Sequence, residues 1–279
     1  MAHHNSSLYT YVQHKVTEWV GEVERLSTIA DTQPHAAYAA FTHGLKHKWT
    51  YLMRTIPNID DQLQPLENAI RHKFLPSLTG QNAMNEENRD LMALPVRHGG
   101  LGIINPTKNN KSYHKSSTNI TAPLVSLILD QSHTYHLEAK VEQLKAKKDA
   151  MKERKQIESV SAAELKDNLA NNMKRAMQVS SEKGASSWLA TLPIAEHGFA
   201  LHKGAFRDAI CLRYGWQPTH LPSHCICGHH FTVEHALICS RGGFPSIRHN
   251  ELRDITAGFL SEICHNVGTE PPCTSTTLR

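Results

Sequence analysis

The spacing of apolar positions along this chain is helical over most of its length. Apolar side chains recur at steps of three and four residues across 8–30, 36–56 and 60–80. The same spacing returns at 201–214 and, after a possible cap at Ser246, in a final helix with Leu252, Ile255, Phe259 and Ile263 on its buried face. The pattern therefore predicts a mainly α fold.

Residues 133–180 are charged and helical in pattern. Lysines and acidic residues interleave there, and an incomplete heptad seam is formed by Leu137, Val141, Leu144 and Met151, with Lys148 and Lys155 interrupting it. The first interpretation is a solvated helix that crosses between two lobes. A coiled-coil surface for a partner and a disordered segment are the alternatives. We place the domain boundary in this segment.

The resulting organisation has four parts. Residues 1–132 form a helical N-terminal lobe, and 133–180 form the charged connecting helix. Residues 181–267 form a small α-helical lobe with a zinc-knuckle-like loop, and 268–279 form a frayed tail with few apolar anchors. Within the first lobe, the Asn-, Ser- and Lys-rich stretch 105–120 is expected to be an exposed loop.

Four soft metal ligands fall within fifteen residues of the C-terminal lobe. Cys225, Cys227, His235 and Cys239 follow the order C-x-C-x₇-H-x₃-C. Three thiolates and an imidazole can complete a closed tetrahedral shell around Zn²⁺. Gly228 suits a tight turn beside the metal, because glycine has no Cβ to obstruct the backbone. The pattern therefore predicts a structural zinc site.

The identity of the ligand set stays open at this point. His235 and Cys239 are four residues apart, so a short helix would place both on one face. Four other histidines lie close enough in sequence to replace His235: His224, His229, His230 and His249. The competing interpretation is three buried or free cysteines beside a surface histidine.

Basic residues follow the cysteine cluster. Arg241, Arg248, His249 and Arg253 stand at or near the predicted start of the last helix. A helix N-terminus offers free N–H groups and the positive end of the helix dipole, so phosphate is the expected ligand. These residues are therefore candidates for nucleic-acid binding. The alternative is ordinary pairing with nearby acidic groups, namely Glu251, Asp254 or Glu262.

Composition constrains the cellular location of the protein more than its function. A net charge of +4 is too small to identify a nucleic-acid partner on its own, although local clusters can still bind phosphate. Three of the six cysteines are scattered, which favours metal ligation in a reducing compartment over a disulfide framework. No secretory signal and no membrane-length apolar run are visible. We expect an intracellular protein, nuclear or cytoplasmic, without a membrane partner.

Several motifs occur together in a characteristic order. Leu94-Pro95 precedes Gly99-Gly100-Leu101-Gly102-Ile103, the C-x-C-G…H-x₃-C cluster follows, and the basic segment Arg248–Asp254 comes last. With the helix from Ala36 to Ile56, which contains Phe41-Thr42-His43-Gly44-Leu45, this order resembles the region downstream of the polymerase palm in retrotransposon reverse-transcriptase polyproteins. The resemblance covers most of residues 30–265.

The resemblance implies a fragment of an element that copies RNA into DNA, but catalysis does not carry over. No F/Y-x-D-D motif is present, since Asn58 occupies the aromatic position before Asp60-Asp61. No nuclease carboxylate set stands out either, so we assign no catalytic residue and expect no enzyme activity. The first functional hypothesis is a non-catalytic RNA- or DNA-binding fragment with a structural zinc. The alternative is a protein-interaction scaffold that acts through 133–180 without binding nucleic acid.

Overall fold

The chain is described here by a computed structural model that covers residues 2–82, 84–131, 137–219 and 221–269, with side chains from residue 7 onward. Its elements are helices, and no strand occurs in these ranges, so the expected mainly α fold is confirmed. The first seven helices are α1 (Ala2–Ala30), α2 (Pro34–Ala40), α3 (Lys46–Thr55), α4 (Gln64–Ala69), α5 (Leu75–Thr79), α6 (Glu86–Ala93) and α7 (Pro106–Leu129). The next six are α8 (Leu137–Asn168), α9 (Asn171–Ser180), α10 (Ser187–Ala190), α11 (Lys203–Tyr214), α12 (Val233–Ile238) and α13 (Phe244–Ser261).

The chain divides into two units at a different place from the one expected. By its internal contacts it separates into Met1–Pro218 and Thr219–Arg279, whereas the sequence placed the boundary within 133–180. The reason is tertiary packing. Helix α8 packs along α7, and α11 contacts α2 and α5, so the chain after residue 137 returns to the N-terminal helices. The described part of the segment 133–180, namely 137–180, is thus part of the first unit.

The core of the first unit is built by the predicted apolar stripes. Val12, Val16 and Val23 of α1 are buried, as the spacing of three and four residues requires. Short π-helical segments, Phe41–Leu45 and Ile70–Phe74, join α2 to α3 and α4 to α5, and they bring two phenylalanines together. The rings of these residues, Phe41 and Phe74, stack with centroids 4.6 Å apart.

A buried ion pair fastens one side of the glycine-rich segment 94–104. The Arg89 guanidinium bonds to both carboxylate oxygens of Glu67, at 2.6 and 2.7 Å, and both side chains are almost fully buried. The same guanidinium donates to the backbone carbonyls of Ile103 at 2.8 Å and Ile104 at 3.2 Å. Removal of one partner from such a pair leaves a buried charge without compensation, which costs about 3–5 kcal/mol. The glycine-rich segment is therefore a structural part of the core.

Other side chains donate hydrogen bonds to three more carbonyls of this segment. Arg213 of α11 donates to the carbonyls of Gly100 at 3.1 Å and Val96 at 3.3 Å. The Tyr38 hydroxyl donates to the Leu101 carbonyl at 2.8 Å. Buried backbone oxygens need such partners, because an unpaired one costs about as much as a lost hydrogen bond. The segment thus connects α2, α6 and α11.

The stretch 105–120 is helical, so the expectation of an exposed loop was wrong. It forms most of α7, whose first turn is capped by the Asn105 side chain, which accepts from the N–H groups of Thr107 at 2.9 Å and Lys108 at 3.2 Å. Pro106 occupies the first turn, where its missing N–H costs nothing. Packing between α3 and α8 stabilises a helix whose polar composition does not reveal it.

The last helix also differs from its expected form. Helix α13 begins at Phe244, two residues before the predicted cap Ser246, and follows Gly243 in the left-handed region at φ +73°. Its expected buried face, formed by Leu252, Ile255, Phe259 and Ile263, is exposed by 56–84%. Within the described part of Thr219–Arg279, the short α12 is the element that packs against α13, so no described element of this unit covers the face. Of the predicted frayed tail, residues 270–279 lie outside the described residues.

None of the described helices combines the length and the apolar character that crossing a lipid bilayer requires.

Buried His35 makes the first unit sensitive to acid. Its Nδ1 accepts from the backbone N–H of Leu201 at 3.2 Å, and its ring stacks on Phe206 at 5.4 Å. Burial lowers the pKa of His35 below its usual value of 6.5. The unfolded chain therefore takes up a proton near pH 6.5 while the folded chain does not, so stability is present above pH 6.5 and falls as the pH decreases through that value.

We expect the free energy of unfolding of the first unit to decrease below pH 6.5 by up to about 1.4 kcal/mol per pH unit from this group. Urea denaturation followed by tryptophan fluorescence at pH 7.5, 6.5 and 5.5 measures the slope, since Trp19, Trp49, Trp188 and Trp216 all lie in this unit. The His35→Gln variant keeps an acceptor for Leu201 and should show a smaller slope. An equal slope in both proteins would contradict the assignment.

Candidate metal centre

A tight loop presents the first two cysteines. The N–H of Cys225 donates to the His229 carbonyl, and the N–H of Gly228 donates to the Cys225 carbonyl, both at 2.8 Å. Gly228 has φ +90°, a conformation that side chains with a Cβ rarely adopt, so the expected glycine turn is present. An isolated antiparallel bridge between His224 and His230 closes the base of the loop. Cys225 and Cys227 are thus held on one compact turn.

Helix α12 presents the other two ligands. The Thr232 hydroxyl caps it by accepting from the N–H of His235 at 3.0 Å. Cys239 directly follows the last helical residue, and its N–H donates to the His235 carbonyl at 2.9 Å. One helical turn therefore separates the imidazole from the third thiol, as the spacing of four residues predicts.

The four ligand atoms converge on one centre. All of them lie within 4.8 Å of one another. The sulfurs of Cys225 and Cys239 are 3.6 Å apart, and Cys227 Sγ is 3.1 Å from His235 Nε2. Both Cys225 and Cys239 are buried, while the other two ligands are half-buried. The arrangement can hold one metal ion.

Backbone N–H groups point at the sulfurs. The N–H groups of Gly242 and Arg241 donate to Cys239 Sγ, and the Gly242 contact contributes most to a lowered pKa of that thiol. For Cys225, the N–H of Cys227 also favours the thiolate, but burial and the adjacent thiols outweigh it and raise the pKa. N–H donors stabilise thiolates in the way they stabilise other anions. The N–H groups therefore favour the thiolate at Cys239, and a cation at the centre would favour the thiolate form of the neighbouring cysteines as well.

The structure favours His235 among the histidines that the sequence left open. Its Nε2 belongs to the group of four ligand atoms, whereas His224, His230 and His249 supply none. His229 comes nearest of the rest, with Nδ1 3.4 Å from Cys227 Sγ and its ring 5.6 Å from that of His235. His229 thus lies beside the ligand shell without completing it.

The basic candidates are distributed around the start of α13 rather than gathered at one point. Arg241 is exposed and lies two residues after Cys239. Arg248 is exposed on α13, and Arg253 follows five residues later, about 140° around the helix axis. His249 lies closer to the side of Arg253. Arg253 Nε bonds to Asp254 at 2.8 Å, and this contact lowers the pKa of the Asp254 carboxyl. One of the expected acidic pairings is therefore present.

Three features of the site were not predicted from the sequence. They are the N–H donors from 241–242, the Thr232 cap, and the contact of Phe231 with Phe244, whose rings lie 6.2 Å apart. The N–H donors could have been anticipated from the sequence, because Gly242-Gly243 follows Cys239 much as Gly228 follows Cys227. Phe231 therefore packs against the first residue of α13, and Trp216, the other residue considered for base stacking, packs against Tyr214 and the first unit's core.

Comparisons with known proteins do not assign the chain to a family. No protein-family model matches the chain, and searches of curated proteins and of solved structures gave no match either.

Proposed function

We propose that Thr219–Arg279 is a zinc-dependent module that binds nucleic acid. The supporting observation is the convergence of Cys225, Cys227, His235 and Cys239, which supply a complete set of soft ligands. Two sulfurs bound 2.3 Å from a tetrahedral Zn²⁺ lie about 3.8 Å apart, close to the 3.6 Å between Cys225 and Cys239. A closed Cys₃His shell leaves no position for a reactive water, so the metal's role is structural.

The packing of this unit explains why it would depend on a metal. Among its described residues, only Cys225 and Cys239 are buried. The unit therefore has almost no hydrophobic core, so it lacks the apolar burial with which a domain of this size could fold without a metal, a disulfide or oligomerisation. In such a module the free energy of metal binding becomes free energy of folding, about 10–16 kcal/mol for structural zinc in small peptides.

Nucleic acid is the partner that the exposed charges favour. Arg241 adjoins the metal loop, and Arg248 projects from the second turn of α13. No side chain caps the N-terminus of α13, so the free N–H groups of its first turn, among which Pro245 contributes none, remain available to an anion. Arg248 and Arg253 point in different directions, which suits contact with separate phosphates along a backbone. Binding of this kind is sequence-tolerant and falls with salt.

Replacement of both Arg248 and Arg253 by alanine should weaken nucleic-acid binding without changing zinc content. Each lost phosphate contact lowers the slope of log K against log salt by about 0.7–0.9, so the double variant should lose about 1.5. Fluorescence anisotropy with labelled 20-nucleotide DNA and RNA, titrated over salt, measures this slope.

The matched control removes two exposed cations from the first unit, Arg25 and Arg175, and should leave the slope nearly unchanged. A parent chain that fails to bind at low salt would reject the nucleic-acid function. If both double variants bind equally, the assigned residues are wrong.

We propose further that the chain derives from a retroelement polyprotein, which would account for nucleic-acid binding without a polymerase site. The support for this origin is the order of its motifs, from Leu94 through the cysteine cluster to Asp254. The glycine-rich motif then serves folding, since its carbonyls are bound by Arg89, Arg213 and Tyr38.

A second function, binding of a protein partner through α8, is favoured by a separate observation. The predicted seam residues Leu137, Val141, Leu144 and Met151 are exposed by 49–74%. Large apolar side chains in a row on a surface indicate an interaction site more often than isolated ones do.

A further inference from the structure

We propose that the exposed face of α8 binds an acidic amphipathic helix of another protein. This inference rests on the second function proposed above and is independent of the metal centre. The seam of this face comprises Leu137, Val141, Leu144, Lys148, Met151 and Lys155, all of them exposed. The seam extends over nineteen residues, or about 28 Å of helix.

The seam points away from the helix that α8 packs on. Between residues 137 and 151, the buried or half-buried positions of α8 are Ala139, Gln143, Ala146 and Ala150. They lie about two residues out of phase with the seam, and so nearly on the opposite side of the helix. Three alanines and a glutamine thus lie on the covered side of α8, while the larger apolar side chains remain uncovered.

Apart from Glu138, which lies at the N-terminal end of the seam, the charges beside it are positive. Lys140 and Lys147 flank it on one side, and Lys145 and Lys152 flank it on the other, which are the e and g positions of a coiled coil. None of these four lysines forms an ion pair with any residue in the described ranges. Lys148 and Lys155 add two more positive charges on the seam itself.

This combination of an apolar seam and flanking lysines discriminates among the possible binding partners of the α8 face. A second copy of α8 would set lysine against lysine at most of the flanking positions in either orientation, so self-pairing is disfavoured. A lipid surface takes a wide apolar face, whereas this seam is a narrow row with lysines in line. A nucleic-acid backbone could pair with the lysines but would not bury the row of leucine, valine and methionine. A helix with apolar a and d positions and glutamates at e and g satisfies both the seam and the lysines.

The probes for the test are two designed four-heptad peptides that share leucine at a and d. One carries glutamate at e and g, and the other carries lysine. Fluorescence anisotropy with the full-length chain should give binding of the glutamate peptide at least about tenfold tighter than of the lysine peptide. Reversal of Lys140, Lys145, Lys147 and Lys152 to glutamate should invert the preference.

The control variant reverses four exposed lysines elsewhere in the first unit, Lys73, Lys111, Lys183 and Lys203, and should keep the original preference. Leu144→Asn should weaken binding of the glutamate peptide. If both peptides bind equally to the parent chain, the seam is an interaction site but the acidic partner is overturned. If neither binds, both the inference and the protein-binding function fail. Tighter binding to phosphatidylserine vesicles or to a 20-nucleotide DNA, lost on the lysine reversal, would also overturn it.

Discussion

Replacement of Cys227 by serine should abolish stoichiometric zinc binding and unfold Thr219–Arg279 while the first unit stays folded. Serine is nearly isosteric with cysteine and the position is only half-buried, so lost packing contributes little. The loss of stability comes from removing one of the four metal ligands, and the described residues of this unit form no buried apolar core to compensate for it. Elemental analysis should find about one zinc per parent chain and far less in the variant.

The two units can be observed separately in this experiment. All four tryptophans lie within Met1–Pro218, so tryptophan fluorescence follows only that unit and should give an unchanged denaturation midpoint. Backbone NMR resonances from 221–269 follow the other unit and should collapse to unfolded positions. Chelation of metal from the parent chain should have the same effect.

Cys264→Ser is the matched control, because Cys264 lies in the same unit, is exposed and stands outside the ligand group. It should keep zinc and the folded resonances. Comparison of His235→Ala with His229→Ala tests the fourth ligand, and only the former should lose the metal. Retention of both zinc and folded resonances in Cys227→Ser would refute the proposed site.

Replacement of Gly100 by alanine should destabilise the first unit by at least about 3 kcal/mol. A Cβ at this position would lie 1.9 Å from the carbonyl oxygen of Leu94 and 2.4 Å from its carbonyl carbon. Both are backbone atoms that cannot turn aside as a flexible side chain does. Movement of residue 100 would also disturb the carbonyl that Arg213 holds. Urea denaturation followed by tryptophan fluorescence measures the change.

Gly102→Ala provides the comparison two residues away. Gly102 has φ +68°, but a Cβ there meets no atom within 4 Å. Its replacement should therefore cost only the left-handed backbone penalty, about 1–2 kcal/mol. Equal effects of the two substitutions would show that the contact with Leu94 does not determine the requirement for glycine at position 100.

Local regularities in the sequence predicted several of the helices and the four residues that the structure brings together, while the choice among the histidines stayed open. The stripe that contains Val12, Val16 and Val23 identifies α1, because residues three and four apart share a face of any α-helix. The spacing of His235 and Cys239 identifies a shared helical turn for the same reason. Gly228 marks the turn of the metal loop through its own conformational freedom. Each of these depends on residues within a few positions of one another.

The tertiary structure decided which helices pack together and which faces are covered. Helix α7 is polar in sequence yet forms between α3 and α8, and the boundary of the first unit moves to Pro218 because α11 returns to α2 and α5. The apolar face of α13 was expected to be buried, but no described element of its unit covers it. Periodicity shows that a helix has an apolar face. Whether that face meets another depends on contacts between distant residues, which local spacing does not encode.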